Sequence, residues 1–241
     1  LLPLLKRRIV IDEIMFSEMK LLIERNKENK LNLPPIAAGQ TKSTDDKKRK
    51  SWQLALSRIN VKDGIIDYRD SVIHFRLFMS NIEQEIRFDQ DSISLAGLSD
   101  MEIFPPMKES VTIYLQINNS LAIMPADKKI SVRALNVTWP PNTLSLKGTI
   151  YNFKELDIAG KLHLPEFDKI MTLINRDLAT KLRIKGTVGA DFTLSGISSN
   201  PNLQGKAELG DLSISYQPFK GTLEKIYGSF SFNRYQIDEI K

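Results

Sequence analysis

From Lys181 to Ser195 apolar and polar positions alternate: Leu182, Ile184, Gly186, Val188, Ala190, Phe192 and Leu194 are even, and Lys181, Arg183, Lys185, Thr187, Asp191, Thr193 and Ser195 are odd. Successive side chains of a strand point to opposite faces, so the segment predicts one long strand with an apolar and a polar side. At roughly 3.3 Å per residue it would span about 45 Å, against ~17–20 Å for a common strand. The apolar side of such a strand needs a cover: a second sheet, a helix or a non-protein ligand.

The same period runs through most of the chain. Ile9, Ile11, Ile14 and Phe16 alternate with a one-residue slip that a bulge would absorb, and Met19, Leu21 and Ile23 follow. A polar turn at 26–30 leads to Leu31-Asn32-Leu33 and Pro34-Pro35. Alternation resumes at Trp52, Leu54, Leu56, Ile59 and Val61, and Asp63-Gly64 predicts a hairpin turn before Ile66 and Tyr68. Phe75, Leu77 and Met79 continue it, Ile86 to Leu95 do so raggedly, and 97–106 looks like a weakly structured connection. Beyond the strand through Val111–Ile117 and another at Ile130 and Val132, Leu144–Ile150 and Leu156–Leu164 form a hairpin about the turn Asn152–Glu155. After the long strand and a turn at 196–201, Leu203, Gly205, Ala207 and Leu209 run back, with a bulge-like slip before Leu212, Ile214 and Tyr216. Gly228, Phe230 and Phe232 belong to one further strand.

One stretch departs from this rhythm. Phe167, Ile170, Met171, Ile174 and Leu178 fall at i, i+3, i+4, i+7 and i+11, predicting an amphipathic helix over 166–178 behind Pro165. Glycines 148, 160, 186, 196, 205 and 228 recur in or beside strands, which suits a sheet that bends strongly. The fold expected is mainly β: a long antiparallel, strongly curved and twisted sheet forming a groove, with one helix near 166–178. Its divisions are N-terminal strands at 1–35, a flexible basic linker at 36–51, a sheet body at 52–164, and a helix plus long-strand module at 165–241.

Composition narrows the function classes. The 241 residues carry 34 basic against 29 acidic side chains, so the excess of +5 is spread over both signs. The run Lys47-Lys48-Arg49-Lys50 lacks interleaved aromatic residues and lies in the linker, so nucleic acid is not an expected partner. Without cysteine there is neither disulfide nor thiolate metal site. The two histidines, His74 and His163, each sit in a strand pattern and form no metal-ligand spacing, so no metal and no cofactor are expected. Glu83 and Glu85 would share a strand face as ordinary solvated carboxylates. Gly186-Thr187-Val188-Gly189 precedes no helix, so it is not a phosphate cradle. No nucleophile elbow or Walker loop occurs, and no enzymatic activity is expected. No apolar run is long enough to span a membrane as a helix. The first residue is not Met and alternation continues near Lys241, so a fragment of a longer chain is expected.

The order of these segments resembles the AsmA-like and TamB-related envelope proteins. The opening I-V-I-D-E-I-M-F-S-E-M-K-L-L-I-E-R-N-K-E-N-K-L-N-L-P is similar to their first module, with Asn29 where that pattern has a glycine. W-Q-L-A-L-S-R-I-N-V-K-D-G-I-I-D-Y-R-D resembles the next element. K-L-R-I-K-G-T-V-G-A-D-F-T-L-S-G, S-N-P-N-L-Q-G-K-A-E-L-G and F-K-G-T-L-E-K-I-Y-G-S-F-S-F resemble their C-terminal strands. Residues 70–150 share only the alternation.

The resemblance implies a short N-terminal helix, a periplasmic body and an inner-membrane anchor that this segment lacks. It also implies passage of phospholipid to the outer membrane along an apolar β-groove, as in chorein-type bridge proteins. The lipid-facing floor is then expected at Leu144, Leu146, Ile150, Ile158, Leu162, Leu164, Leu182, Ile184, Val188, Ala190, Phe192, Leu194, Phe230 and Phe232. Phospholipid and other envelope proteins are the partners implied. Two other readings stay open: a non-enzymatic scaffold for envelope assembly whose sheet is self-covered, and an enzyme acting on envelope polymers.

Overall fold

A computed structural model describes residues 8–32, 53–106, 112–168, 181–216, 221–233 and 236–240. The chain divides into two compact units, Leu1–Tyr114 and Leu115–Lys241. Every regular element of the described residues is a strand. The linker 36–51 and the N-terminal helix lie outside the described residues, as does the 166–178 helix beyond residue 168.

The first unit contains β1 (Arg8–Ile11), β2 (Ile14–Ser17), β3 (Lys20–Arg25), β4 (Gln53–Leu56), β5 (Arg58–Asp70), β6 (Phe75–Phe88) and β7 (Ile93–Phe104). Strands β5, β6 and β7 form an antiparallel meander. β2 and β3 lie parallel to successive stretches of β5, and β1 lies parallel to β4. This corrects the expectation of a wholly antiparallel sheet. Side-chain alternation has a period of two in either strand direction, so it carries no information about direction. It also corrects the bulged strand expected at Ile9–Phe16, because β1 and β2 are separate strands on different partners.

Asp63-Gly64 is not a hairpin turn. β5 runs through it as a bulge: Asp63 has φ 51° and the register to β6 shifts on both sides of Gly64. Left-handed backbone serves hairpin turns and bulges alike, and the dipeptide does not distinguish them. The chain turns instead at 71–74, so His74, with φ 56°, lies in a turn and not in a strand. The supposed connection at 97–106 is strand as far as Phe104, paired with β6. A register shift between Ser80 and Glu83, with Asn81 at φ 50°, scrambles the apolar parity there. Asn29, in the turn after β3, has left-handed backbone geometry, at φ 63°.

Asp70 fastens this unit together. It is 3% exposed. One carboxylate oxygen accepts from the amides of Val72 at 2.9 Å and Ile73 at 3.2 Å. The other accepts from Arg25 at 3.0 Å and the Tyr68 hydroxyl at 3.1 Å. Burial pushes this carboxyl up, but the Ile73 amide, Arg25, the Val72 amide and Tyr68 together hold it below the usual carboxylate range. A carboxyl depressed in the folded state stabilises above its unfolded value of ~3.9, and that contribution is lost as pH falls through the folded value. Asp70→Asn is therefore expected to lower the melting temperature near neutral pH by roughly 4–8 °C and to flatten the acid side of the stability profile. Parallel pH profiles for the variant and the parent protein would refute this role.

The second unit is an up-and-down antiparallel sheet of β8 (Ile113–Met124), β9 (Lys129–Trp139), β10 (Asn142–Tyr151), β11 (Glu155–Leu164), β12 (Leu182–Ile197), β13 (Asn202–Tyr216), β14 (Thr222–Asn233) and β15 (Gln236–Ile240). Each strand pairs with the next in sequence, and the ends of the series do not pair with each other. The hairpins expected about Asn152–Glu155 and 196–201 are present, with the second turn starting only after Ile197, and β12 is 16 residues long. The parity slip in β13 is a bulge at Asp211, with φ 50° and a register shift against both neighbours. Tyr227 of β14 donates its hydroxyl to the Asp211 carboxylate at 3.1 Å, which pushes the phenol pKa up and pins the bulge.

Candidate functional site

Residues directly opposed in an antiparallel ladder share a face, so the registers assemble side chains into rows that cross the second unit. One row is Ile117, Val137, Leu144, Leu162, Ala190, Ala207 and Phe230. The next is Leu135, Leu146, Gly160, Phe192, Gly205 and Phe232. A third is Leu121, Val132, Gly148, Ile158, Leu194 and Leu203. Ile150 lies opposite Ile130 and Leu156 in the row beyond. On the other side of the first row stand Leu164, Val188 and Leu209. Leu182 and Ile184 lie past the β13 bulge, opposite Tyr216 and Ile214.

The residues expected to line a groove thus come together in consecutive rows of one sheet. Sequence reasoning left Leu135, Val137, Leu203, Ala207 and Leu209 out of the site, although the ladders place them in the same rows. Leu135 was obscured because the register between β9 and β10 shifts near Leu146, changing the parity of β9.

This face is only partly covered. Ile158 and Leu164 are buried, at 7% and 4% exposure. Leu144, Leu146, Leu162, Val188, Phe192, Leu194, Phe230 and Phe232 are half-exposed. Among the described residues, β9 to β15 make their substantial contacts with ladder neighbours, and no second layer lies over them. No large side chain is fully buried among the described residues. Folded domains usually close such a face with another layer, and a contiguous apolar patch left open marks a place where something binds.

The middle row is smoothed by glycine. A Cβ on Gly160 would sit 2.2 Å from Phe192 Cζ, and one on Gly205 would sit 2.8 Å from Phe232 Cζ. Each ring therefore lies across the neighbouring strand's glycine, which lowers the relief of the face and leaves ring surface outward.

The opposite face carries a feature that alternation did not reveal. A hollow of about 770 Å³ crosses β9 to β14 along the Leu146–Gly160–Phe192–Gly205–Phe232 row. Its walls are the chain neighbours of that row, among them Ser145, Lys147, Lys161, Asp191, Thr193 and Gln204, while Leu144, Leu162, Leu194 and Phe230 are not in its lining. Lining of that kind places it on the polar face, floored by the backbone of the row. A second hollow of about 360 Å³ shares the wall Ser145, Lys161 and Asp191 and adds Thr143, His163, Lys206 and Glu208. Lys161 Nζ lies 3.2 Å from Asp191 on the next strand. Among the described residues no cluster of three or more His, Asp or Glu could hold a metal ion, and no helix is long and apolar enough to cross a membrane.

Compared with family models, curated proteins and solved structures, the chain has no match.

Proposed function

We propose that the second unit binds the acyl chains of phospholipid on the apolar face of β8–β14, as a periplasmic part of an AsmA-like protein anchored in the inner membrane. The observation that supports this most is the half-exposed apolar face with no described layer over it. Each acyl CH₂ taken from water there contributes ~0.8 kcal/mol, so a chain laid across several rows is held without a polar recognition site. The head group stays in water at the rim. Rows continuing strand after strand let the lipid slide at nearly constant energy, which is what transfer between inner and outer membranes requires. The function is non-enzymatic on this reading, and neither metal nor cofactor takes part.

The test is native mass spectrometry with lipid extraction on protein prepared without detergent, then incubated with phospholipid vesicles. Bound phospholipid, either co-purified or taken up, is the expected result. A lipid-free monomer that ignores added vesicles would sink the reading and favour a self-covered scaffold for envelope assembly.

A further inference from the structure

We infer that the polar face of the second unit is a binding site for an extended, acidic, hydroxyl-rich glycan. The inference is independent of the lipid reading, because it concerns the other side of the sheet.

The larger hollow, about 770 Å³, is within the range of ligand sites and has the shape of a trough across six strands, β9 to β14. With strands ~4.8 Å apart, its floor runs about 24 Å, so the ligand is a chain and not a compact molecule. Its floor is mid-sheet backbone whose amides and carbonyls are engaged in ladders on both sides. A peptide added as a further strand therefore has no edge to pair with there. Recognition falls to side chains: Ser145, Thr193, Gln204, Ser231 and Asn233 offer hydroxyls and amides from four of the six strands.

The aromatic residues of the lining are Phe192 and Phe232. Their rings lie over Gly160 and Gly205 on the apolar face, so there is no platform on which a nucleobase could stack. Arg133, Lys147 and Lys161 line the trough against the one carboxylate of Asp191, which Lys161 already partners. The surplus is cationic. A chain with anionic groups at intervals and hydroxyls between them satisfies both sets, and the strand spacing is close to one pyranose residue along such a chain. The smaller hollow, sharing Ser145, Lys161 and Asp191, widens the same surface on its His163 and Lys206 side.

The experiment is isothermal titration calorimetry with size-defined oligogalacturonate, neutral malto-oligosaccharide of equal length, and polyphosphate. Oligogalacturonate is expected to bind and the two others to bind at least about tenfold more weakly. The double variant Lys147→Ser/Lys161→Ser should weaken oligogalacturonate by about tenfold or more through lost charge-assisted hydrogen bonds, with an unchanged melting temperature. Lys154→Ser, in the turn after β10, should leave binding intact. The inference is overturned by absence of oligogalacturonate binding, by equal binding of polyphosphate, or by a double variant that binds like the parent. Loss of lipid uptake in these variants is not expected; retained lipid uptake with no glycan binding would refute this site alone.

Discussion

Replacing Phe192 with aspartate is expected to lower phospholipid uptake at least tenfold while the ladders of the second unit stay intact. Phe192 lies in the middle row, between Gly160 and Gly205, with Ala190 and Leu194 in the rows on either side. An acyl chain crossing the face must pass this position. A carboxylate there holds water that the chain would have to strip, at a cost of several kcal/mol, which exceeds the ~0.8 kcal/mol that each contacting CH₂ returns. The ring is half-exposed, so its loss from the fold costs about 1–2 kcal/mol and the new carboxylate can reach solvent. Thr193→Asp, one residue on and facing the polar side, is the control: it should carry lipid as the parent does. Native mass spectrometry reads the lipid and far-UV circular dichroism reads the sheet. Normal lipid loading in Phe192→Asp would show that the apolar face is not the path.

The largest effect on stability is expected from Gly148→Val. Gly148 has φ 146°, a conformation that side chains with a Cβ rarely adopt, and an added Cβ would sit 2.1 Å from the Asp157 carbonyl oxygen and 2.8 Å from Ile158 Cα. Both obstacles are backbone of the paired strand β11, so relief requires the β10–β11 ladder to open. Backbone strain and overpacking together should cost more than about 3 kcal/mol. Gly196→Ala separates the two contributions: its φ of 86° is also unfavourable, but nothing lies within 4 Å of the new Cβ. That variant should lose only about 1–2 kcal/mol. Urea unfolding followed by circular dichroism gives both numbers. Equal midpoints for the two variants would show that the close approach to β11 does not matter.

The parts of the fold that could be read from the chain are those in which one local rule has one structural meaning. Unbroken alternation from Leu182 to Leu194 means a strand, which is present, whereas a parity slip has two meanings: a bulge between Leu209 and Leu212 but a break between strands from Ile11 to Ile14. Where a local rule serves two structures, the reading failed. Asp63-Gly64 suits a turn or a bulge, and only the continuing pairing of β5 with β6 selects the bulge. The parallel placement of β2 and β3 on β5 leaves no mark on alternation at all. For the candidate site, the apolar members of each strand were legible one strand at a time, and their alignment into rows required the registers. The polar trough had no local signal. Its walls come from six consecutive strands, and only their registers bring those residues side by side.

The strand-to-neighbour contacts of the second unit have a further meaning for how it comes apart. With each strand resting on the two beside it, the unit behaves as a one-dimensional chain of nearest-neighbour terms, as repeat arrays do, and not as a shell around a shared centre. Opening then passes from each strand to its neighbour like a zipper, so amide hydrogen exchange should change step by step along β12, β13 and β14 and not all at once. A hairpin added to such a zipper lengthens it without repacking anything already there, and the apolar track grows in proportion.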